Sequence, residues 1–344
     1  MIKRTMLKGL LAAAAFALAP AAKAESVTKV NFSIFVPPTH PIYAKMISPW
    51  AKDVERVTEG RVVINLLPKP LGGAPQHIDL VRDGVAGAAF TIHGYTPGRF
   101  VLTKMAELPF SGDSAEAVSV AYWKVHEKYF AGANEHQGVK LLGLFVHGPG
   151  TIFVSKGPID SVSDLNGIKF RVGGGVVNEV SESLGMTSVL KSAPESYELL
   201  SNGVVDGILF PISSVETFRL EPFVPYAVEA PGGVYNTSFM LGMNQGLFDS
   251  LSENDQQAIM EVSGEAFARR AGRAWDEDTV RARKKFVEQG GTINQASPAL
   301  LAEFHEKLDP LAEAWVKEAE AKGVDGGAAL AEFRQLINSD PASQ

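Results

Sequence analysis

The sequence of 344 residues predicts an α/β protein with two domains. Segments with the period-two apolar alternation of strands are separated by amphipathic segments of helical periodicity, which favours α/β layers with mostly parallel sheets. The chain is also longer than one hydrophobic core usually allows. A helix-compatible segment near residues 252–290 breaks the alternation and is long enough to reach across two domains.

The alternation begins near the amino end of the chain. Residues 29–35 place apolar Val30, Phe32 and Ile34 on one face, and an amphipathic helix is predicted over 41–58, closed by Gly60. Further strands are predicted at 61–67, 88–92, 139–145 and 167–172, and further helices near 76–82, 115–130 and 176–184.

One long helix is predicted after this alternation. Ser252 and Asp255 form a capping-box start, and glycines 290–291 form a stop. About 37 residues at about 1.5 Å each reach roughly 55 Å, enough to brace two lobes. The alternative is two helices with a break near Gly264 or Gly272.

The first residues have the pattern of an export signal. Three basic residues within the first eight precede an apolar run over 10–21, and Ala22-Lys23-Ala24 follows. A signal peptidase cuts after such a small-x-small motif, so cleavage is predicted after Ala24 and the mature chain is expected in the periplasm. A membrane anchor is the alternative, but this run is shorter than the roughly 20 residues that span a bilayer.

Composition excludes several classes of function. Without a leader of four basic and no acidic residues, the chain has 28 basic and 39 acidic side chains, a net charge of −11. That charge disfavours nucleic acid as a partner. Cysteine is absent, so the sequence offers no disulfide, no thiol nucleophile and no cysteine metal site.

Catalytic motifs are missing as well. None of the seven histidines form an i, i+4 pair, and there is no G-x-S-x-G elbow and no phosphate-binding P-loop. "GGGVVN" begins like a dinucleotide fingerprint, but Asn178 occupies the place of its last glycine. We therefore expect neither an enzyme nor a cofactor or metal.

The stretch "GIKFRVGGG" is the strongest local signal for a binding site. Arg171 ends an apolar strand just before three glycines and a helix start, so a guanidinium would lie beside the free N–H groups of a helix N-terminus. Its planar fork grips both oxygens of a carboxylate and stays charged when desolvated. The alternative is an Arg171 paired with a neighbouring Asp or Glu.

Longer motifs extend this signal along most of the chain. Taken together, in this order and spacing, they resemble the solute-binding proteins of TRAP transporters, the DctP-like family. The motifs are "GYTPGRF" (94–100), "ELPF" (107–110), "HGPG" (147–150), "SVSDLNGIKFRV" (161–172), "ESYELLSNGVVDGILFP" (195–211) and "FMLGMNQGLFDSLSENDQQAI" (239–259).

The resemblance implies a two-lobe α/β fold like that of periplasmic binding proteins, with a cleft between the lobes and a long bracing helix. One lobe would be 25–149 with 237–276 and the other 150–236 with 277–344. Arg171 matches the arginine that pairs with the ligand carboxylate. The implied partners are a small organic acid and the membrane subunits of a TRAP transporter, without a cofactor.

Three positions depart from the pattern of that family. Thr151 stands where many sugar-acid and dicarboxylate binders have a second arginine, Phe210 where an asparagine is common, and Ala193 where an aromatic residue is common. With charge for one carboxylate and apolar surface for the rest, we expect a monocarboxylate such as a 2-oxo, 2-hydroxy or aromatic acid. A distant cation such as Arg99 remains an open alternative.

Other candidate residues of the cleft wall follow strands or lie in the matching motifs. They are His93, Tyr95, His147 and Asn236, with Thr151 and Phe210 from the positions above. For each of them, simple packing on its neighbours is the alternative.

Three classes of function remain from the sequence. The first is an extracytoplasmic receptor that delivers an organic acid to a TRAP transporter. The second is a periplasmic sensor of the same fold that presents its ligand to a signalling receptor. The third, an exported hydrolase, lacks a nucleophile or metal constellation.

Overall fold

The computed structural model describes residues 27–343 and contains two β-sheets surrounded by helices. The leader assigned to residues 1–24 lies outside the described residues. The strands are β1 Thr28–Ser33, β2 Val62–Leu66, β3 Ala88–Ile92, β4 Val139–Val146, β5 Thr151–Val154, β6 Lys169–Val172, β7 Thr187–Leu190, β8 Gly207–Phe210, β9 Tyr226–Glu229, β10 Ser238–Asn244 and β11 Thr292–Gln295.

The helices cover both faces of the sheets and dominate the carboxyl end of the chain. They are α1 Ser48–Val57, α2 His77–Arg82, α3 Ala115–Val125, α4 Val176–Ser183, α5 Ser196–Ser201, α6 Ile212–Thr217, α7 Gln245–Asp249, α8 Glu253–Glu261, α9 Gly264–Glu288, α10 Pro298–Leu308, α11 Pro310–Ala321 and α12 Gly326–Ser339. A π-helical turn, Ile42–Ile47, precedes α1, and another, His126–Phe130, extends α3.

Each sheet combines parallel strands with one antiparallel strand. The order of the first is β2-β1-β3-β10-β4, and β10 runs against both β3 and β4. The order of the second is β11-β9-β5-β8-β6-β7, and β5 runs against both β9 and β8. The chain crosses between the sheets after β4 and again before β10. The antiparallel strands β5 and β10 therefore come directly after the two crossing segments.

The long helix is interrupted near Gly264, which is the alternative that the sequence left open. Gly264 takes a left-handed φ of +56°, so α8 ends at Glu261 and α9 starts anew with 25 residues. The prediction of an uninterrupted helix from Ser252 to Gly290 was therefore wrong. The left-handed backbone of Gly264, a conformation that strains an L side chain, interrupts the helix. The bracing role remains with α9.

Helix α9 contributes to the cores of both halves. Phe267 and Trp275 in its first part belong to the core of the first sheet. Ala282 and Phe286 in its second part belong to a core of the second sheet, where Phe286 meets Phe153 at a ring distance of 5.6 Å. One rigid element is thus anchored in both halves of the molecule.

The crossing of α3 and α9 is unusually close. A Cβ at Gly272 would lie 2.3 Å from the Glu116 Cα, so only glycine fits there. Asp276, one turn further along α9, accepts hydrogen bonds from the Ala115 and Glu116 backbone N–H groups at 2.7 and 3.0 Å. Helix α9 thereby caps α3 with a side chain, which is a common way to satisfy the free N–H groups at a helix start.

The last two helices pack against the first half of the chain. Trp315 of α11 and Phe333 of α12 share a core with Tyr122 of α3, and the Trp315 Nε1 donates to the Val101 carbonyl oxygen at 3.0 Å. The predicted boundary placed these helices in the second lobe. The division of the chain into lobes stays a prediction, and α11 and α12 are the elements on which it depends.

The predicted fold class is confirmed: two α/β halves, crossing segments between them and a long helix anchored in both. Among residues 27–343, no helix is both long and apolar enough to cross a membrane.

Candidate functional site

Arg171 lies in β6 one residue before the strand ends, and the chain then turns through Gly173–Gly175 into α4. The side chain is only 2 % exposed. Its Nε donates to the Lys191 carbonyl oxygen at 2.9 Å, and its guanidinium carbon lies 4.9 Å from the centroid of the Phe210 ring. These two contacts hold the guanidinium in a fixed plane, and the Tyr95 hydroxyl interacts with the same group.

Among residues 27–343, no carboxylate forms an ion pair with the buried guanidinium, although Glu195 attracts it from a longer distance. Burial lowers the pKa of Arg171, and the neighbouring hydroxyls of Tyr95 and Tyr235 oppose that shift. A buried cation without a counter-ion is costly unless an anion arrives. The structure does not contain the alternative arrangement, an ion pair between Arg171 and a neighbouring acid.

A cavity of about 40 Å³ lies between the two sheets, and Arg171 forms part of its wall. Its walls are mainly aromatic and aliphatic, and Phe35 and Phe90 stack at 4.4 Å on one side. The aromatic residues that line it are Phe35, Phe90, Tyr95, Phe210, Phe218, Tyr235, Phe239 and Trp275.

Arg171 is the only Lys, Arg, Asp or Glu among the described residues that line this cavity. Arg99, the distant cation that the sequence left open, donates instead to Asp79 at 2.7 Å and does not line the cavity. The cavity thus offers one positive charge at one place on an apolar wall.

Four of the sequence-predicted residues come together here. Arg171, Tyr95, His147 and Phe210 all line the cavity. The Tyr95 hydroxyl accepts a hydrogen bond from the Ala193 backbone N–H at 2.8 Å, which joins the first half of the chain to the second. Burial lowers the pKa of His147 to about 4, so this imidazole is neutral at neutral pH.

The structure places the other three predicted residues outside this cavity. His93 lines a second cavity, where its Nδ1 and Nε2 lie 3.0 Å from the Ser238 Oγ and 2.8 Å from the His136 Nε2. Thr151 lines a separate pocket. Asn236 is 2 % exposed, and its Oδ1 accepts from the Thr237 N–H at 2.8 Å.

Several lining residues were not singled out from the sequence. Tyr235 and Thr237, which flank Asn236, line the cavity, and Asn236 does not. Trp275 and Phe218 come from helical regions, where the sequence does not distinguish an aromatic residue of a binding site from one of the hydrophobic core. The one signal in the sequence for Tyr235 and Thr237 was the alternation of side-chain direction along an extended segment, which points both away from Asn236.

Direct contacts join the two halves of the chain next to Arg171. The Glu107 carboxylate accepts from the Val176 N–H at the start of α4 at 2.9 Å and from the Ser238 Oγ at 2.7 Å. Burial raises the pKa of Glu107 to about 7. Lys104 and Glu179 form an ion pair at 2.8 Å nearby. Glu107 and Lys104 thus both tie the first half of the chain to α4, the helix that follows Arg171.

Known proteins resemble this chain over most of its length. The sequence profile of "Bacterial extracellular solute-binding protein, family 7", named DctP, matches residues 32–319. The "Outer membrane transporter protein TsaT" of Comamonas testosteroni is 34 % identical over 92 % of this chain and 94 % of its own.

Two crystal structures share the fold closely. A TRAP periplasmic solute-binding protein from Bordetella bronchiseptica, with bound (R)- and (S)-mandelate, is 42 % identical with a TM-score of 0.89, covering 90 % of this chain and 99 % of that one. A TRAP solute-binding protein from Rhodoferax ferrireducens T118, with copurified benzoate, is 28 % identical with a TM-score of 0.85, covering 91 % and 98 %.

The resemblance seen in the sequence motifs is therefore confirmed by a family-wide profile and by the fold. The description of the family as extracellular, together with its periplasmic members, agrees with a periplasmic location for a protein of this kind. The chain belongs to bacterial extracellular solute-binding protein family 7, the DctP family of TRAP solute receptors.

Proposed function

We propose that this protein is a periplasmic receptor for an aromatic monocarboxylate, which it delivers unchanged to the membrane subunits of a TRAP transporter. The observation that carries the proposal is a single buried guanidinium, without a protein counter-ion, in a cavity walled by aromatic rings. In this proposal the ligand carboxylate is the missing counter-ion, held by both Nη groups of Arg171 with the Tyr95 hydroxyl beside it.

The apolar walls favour an aromatic ring as the rest of the ligand. Aromatic pairs in offset or edge-to-face geometry gain about 0.5–1.5 kcal/mol beyond the burial of their surface. A second carboxylate would find no further Lys or Arg among the described lining residues and would lose its hydration uncompensated. Both arguments favour a monocarboxylate over a dicarboxylate.

The ligands of similar proteins support the same class. The relatives from Bordetella bronchiseptica and Rhodoferax ferrireducens hold mandelate and benzoate, two aromatic monocarboxylates. We assign ligand contact in this chain to Arg171, Tyr95, His147 and Phe210. His93, Thr151 and Asn236 are assigned to the support of the cleft from outside.

Binding is proposed to close the cleft between lobe 25–149 with 237–276 and lobe 150–236 with 277–344. The contacts of Glu107 and Tyr95 with the opposite half support a closed state in this structure. Hinge closure around a ligand is usual for extracytoplasmic binding proteins. Cleavage after Ala24 would release the mature chain, and N-terminal sequencing of protein from the periplasm should begin at Glu25.

A thermal-shift panel tests the proposed ligand class. Purified protein from residue 25 onward is heated with benzoate, phenylacetate, mandelate, pyruvate, succinate or glucuronate. A ligand that binds only the folded state raises the melting temperature by mass action. We expect the aromatic monocarboxylates to give the largest shifts and to be recovered unchanged by mass spectrometry. The largest shift from succinate or glucuronate, or chemical conversion of the ligand, would refute the proposal.

A further inference from the structure

Two buried polar atoms in the wall of the cavity have no hydrogen-bond partner. They are the Nε2 of His147 and the Nε1 of Trp275. The two residues are 2 % and 1 % exposed, and both line the cavity that holds Arg171. Their ring centroids lie 6.1 Å apart with an angle of 70° between the planes. Buried polar groups are nearly always paired, so an unpaired couple in one cavity wall calls for an explanation.

The hydrogen-bonding character of each atom follows from its surroundings. The Nδ1 of His147 faces the Gly148 carbonyl oxygen, which can only accept, so Nδ1 carries the ring proton. Burial keeps the imidazole neutral, with its pKa lowered to about 4. Its Nε2 is therefore a bare acceptor. The indole Nε1–H of Trp275 can only donate.

The other neighbours of this pair supply no partner for either atom. Tyr235 meets the His147 ring edge-on at 5.4 Å, and Phe239 lies 6.1 Å from His147 and 6.3 Å from Trp275. His40 meets the Trp275 ring edge-on at 5.7 Å, but its Nδ1 already accepts from the Ile42 N–H, so its Nε2 carries the ring proton and cannot accept from Trp275. The His147 acceptor and the Trp275 donor remain without a partner. A hydroxyl group both donates and accepts, whereas a carboxylate cannot donate, an ammonium cannot accept and a methyl group does neither.

We propose that His147 and Trp275 together bind a hydroxyl group of the ligand, so that the preferred substrates are aromatic monocarboxylates with a hydroxyl on the ring or on the carbon beside the carboxylate. This inference rests on the proposed function, because Arg171 must hold the carboxylate at the same time. A site that pairs with a hydroxyl rejects the analogue without one, since its own buried groups are then left unpaired. A trapped water at the pair would give no such preference.

Calorimetry with matched ligands tests the proposal. Phenylacetate, mandelate and 3-hydroxyphenylacetate share one ring and one carboxylate and differ only in the hydroxyl. We expect at least one of the hydroxy acids to bind about tenfold or more tightly than phenylacetate. Equal affinity of phenylacetate and both hydroxy acids would overturn the proposal.

Three variants assign the preference to the two atoms. Trp275→Phe removes the N–H and keeps an aromatic ring, and His147→Phe removes the acceptor. In each, the ratio of hydroxy-acid to phenylacetate affinity should fall toward one. Phe239→Leu is the matched control, because it removes an apolar wall that touches both rings; it should weaken both ligands and keep the ratio. Circular dichroism checks that each variant is folded.

The outcomes separate the two proposals. Arg171-dependent binding of phenylacetate without a hydroxyl preference refutes the hydroxyl site alone. A preference that survives both Trp275→Phe and His147→Phe also refutes it, since the hydroxyl is then recognised elsewhere. Failure of all three acids to bind refutes the proposed function and the hydroxyl site with it.

Discussion

Replacing Arg171 by lysine keeps the positive charge and removes the planar fork. In the native site the guanidinium is fixed by the Lys191 carbonyl oxygen at 2.9 Å and by the Phe210 ring at 4.9 Å. A lysine ammonium binds a carboxylate as a single point charge and cannot make the two-point grip of a guanidinium. It also cannot keep the two supporting contacts while it binds the ligand. Burial also lowers the pKa of a lysine, which weakens the charge itself.

The expected loss follows from the interactions removed. One hydrogen bond between charged groups is worth about 1.5–3 kcal/mol, and the contact with the Phe210 ring adds about 0.5–2 kcal/mol by holding the cation in place. A total of about 3 kcal/mol corresponds to roughly a hundredfold weaker binding, because each 1.4 kcal/mol is a factor of ten.

Isothermal titration of Arg171→Lys with mandelate measures this loss. Arg99→Lys is the control, because Arg99 pairs with Asp79 at 2.7 Å away from the cavity and should leave the affinity unchanged. Unaltered affinity of a folded Arg171→Lys protein would show that the arginine is structural. Equal losses in both variants would show that the loss does not come from the fork of Arg171 in the cavity.

Further predictions concern acid stability, packing and closure. Burial lowers the pKa of six of the seven histidines. Below about pH 6.5 the unfolded chain therefore takes up protons before the folded chain does. The free energy of unfolding, measured by urea titration, should fall steeply from pH 6.5 to 4. Glu107 opposes this trend, because its pKa is raised to about 7 and the folded state takes up its proton first. Glu107→Gln should therefore make the free energy of unfolding fall more steeply with falling pH. An unchanged dependence on pH would contradict the raised pKa of Glu107. Gly272→Ala places a Cβ 2.3 Å from the Glu116 Cα and should destabilise the fold by about 1–3 kcal/mol, whereas Gly132→Ala, with open space around it, should not; equal melting temperatures would refute the close helix crossing. Saturating mandelate should reduce the radius of gyration in small-angle scattering, and an unchanged radius would argue for a rigid pocket.

Local patterns were enough to predict the elements around the site. Strand alternation located β1 to β4 and β6 within one or two residues, since one face of each strand is apolar and period two is easily recognised. Arg171 was located because a charged residue at the end of an apolar strand, before glycines, has few structural reasons to be there. The antiparallel direction of β5 and β10 was not foreseen, because the direction of a strand depends on the crossing segments and not on its own residues.

Long-range contacts account for what the sequence left undetermined. The break before α9 depends on the left-handed φ of Gly264, and the presence of a glycine in the sequence does not by itself predict its φ. The docking of α11 on the first half depends on Trp315 and its bond to the Val101 carbonyl oxygen, 214 residues away in the chain. The motif around Asn236 gave the segment but not the direction of each side chain, so the places of Tyr235 and Thr237 in the cavity wall were not predicted.

The most direct test of the central claim compares a ligand with its own neutral isostere. The claim is that Arg171 binds one carboxylate while the aromatic walls bind the rest of the molecule. Titration calorimetry with phenylacetate, phenylacetamide and succinate separates these contributions, since the amide keeps the ring without the charge and succinate has charge without the ring. The account predicts that phenylacetate binds about a hundredfold or more tightly than either of the others. Equal binding of phenylacetamide, or tighter binding of succinate, would contradict it.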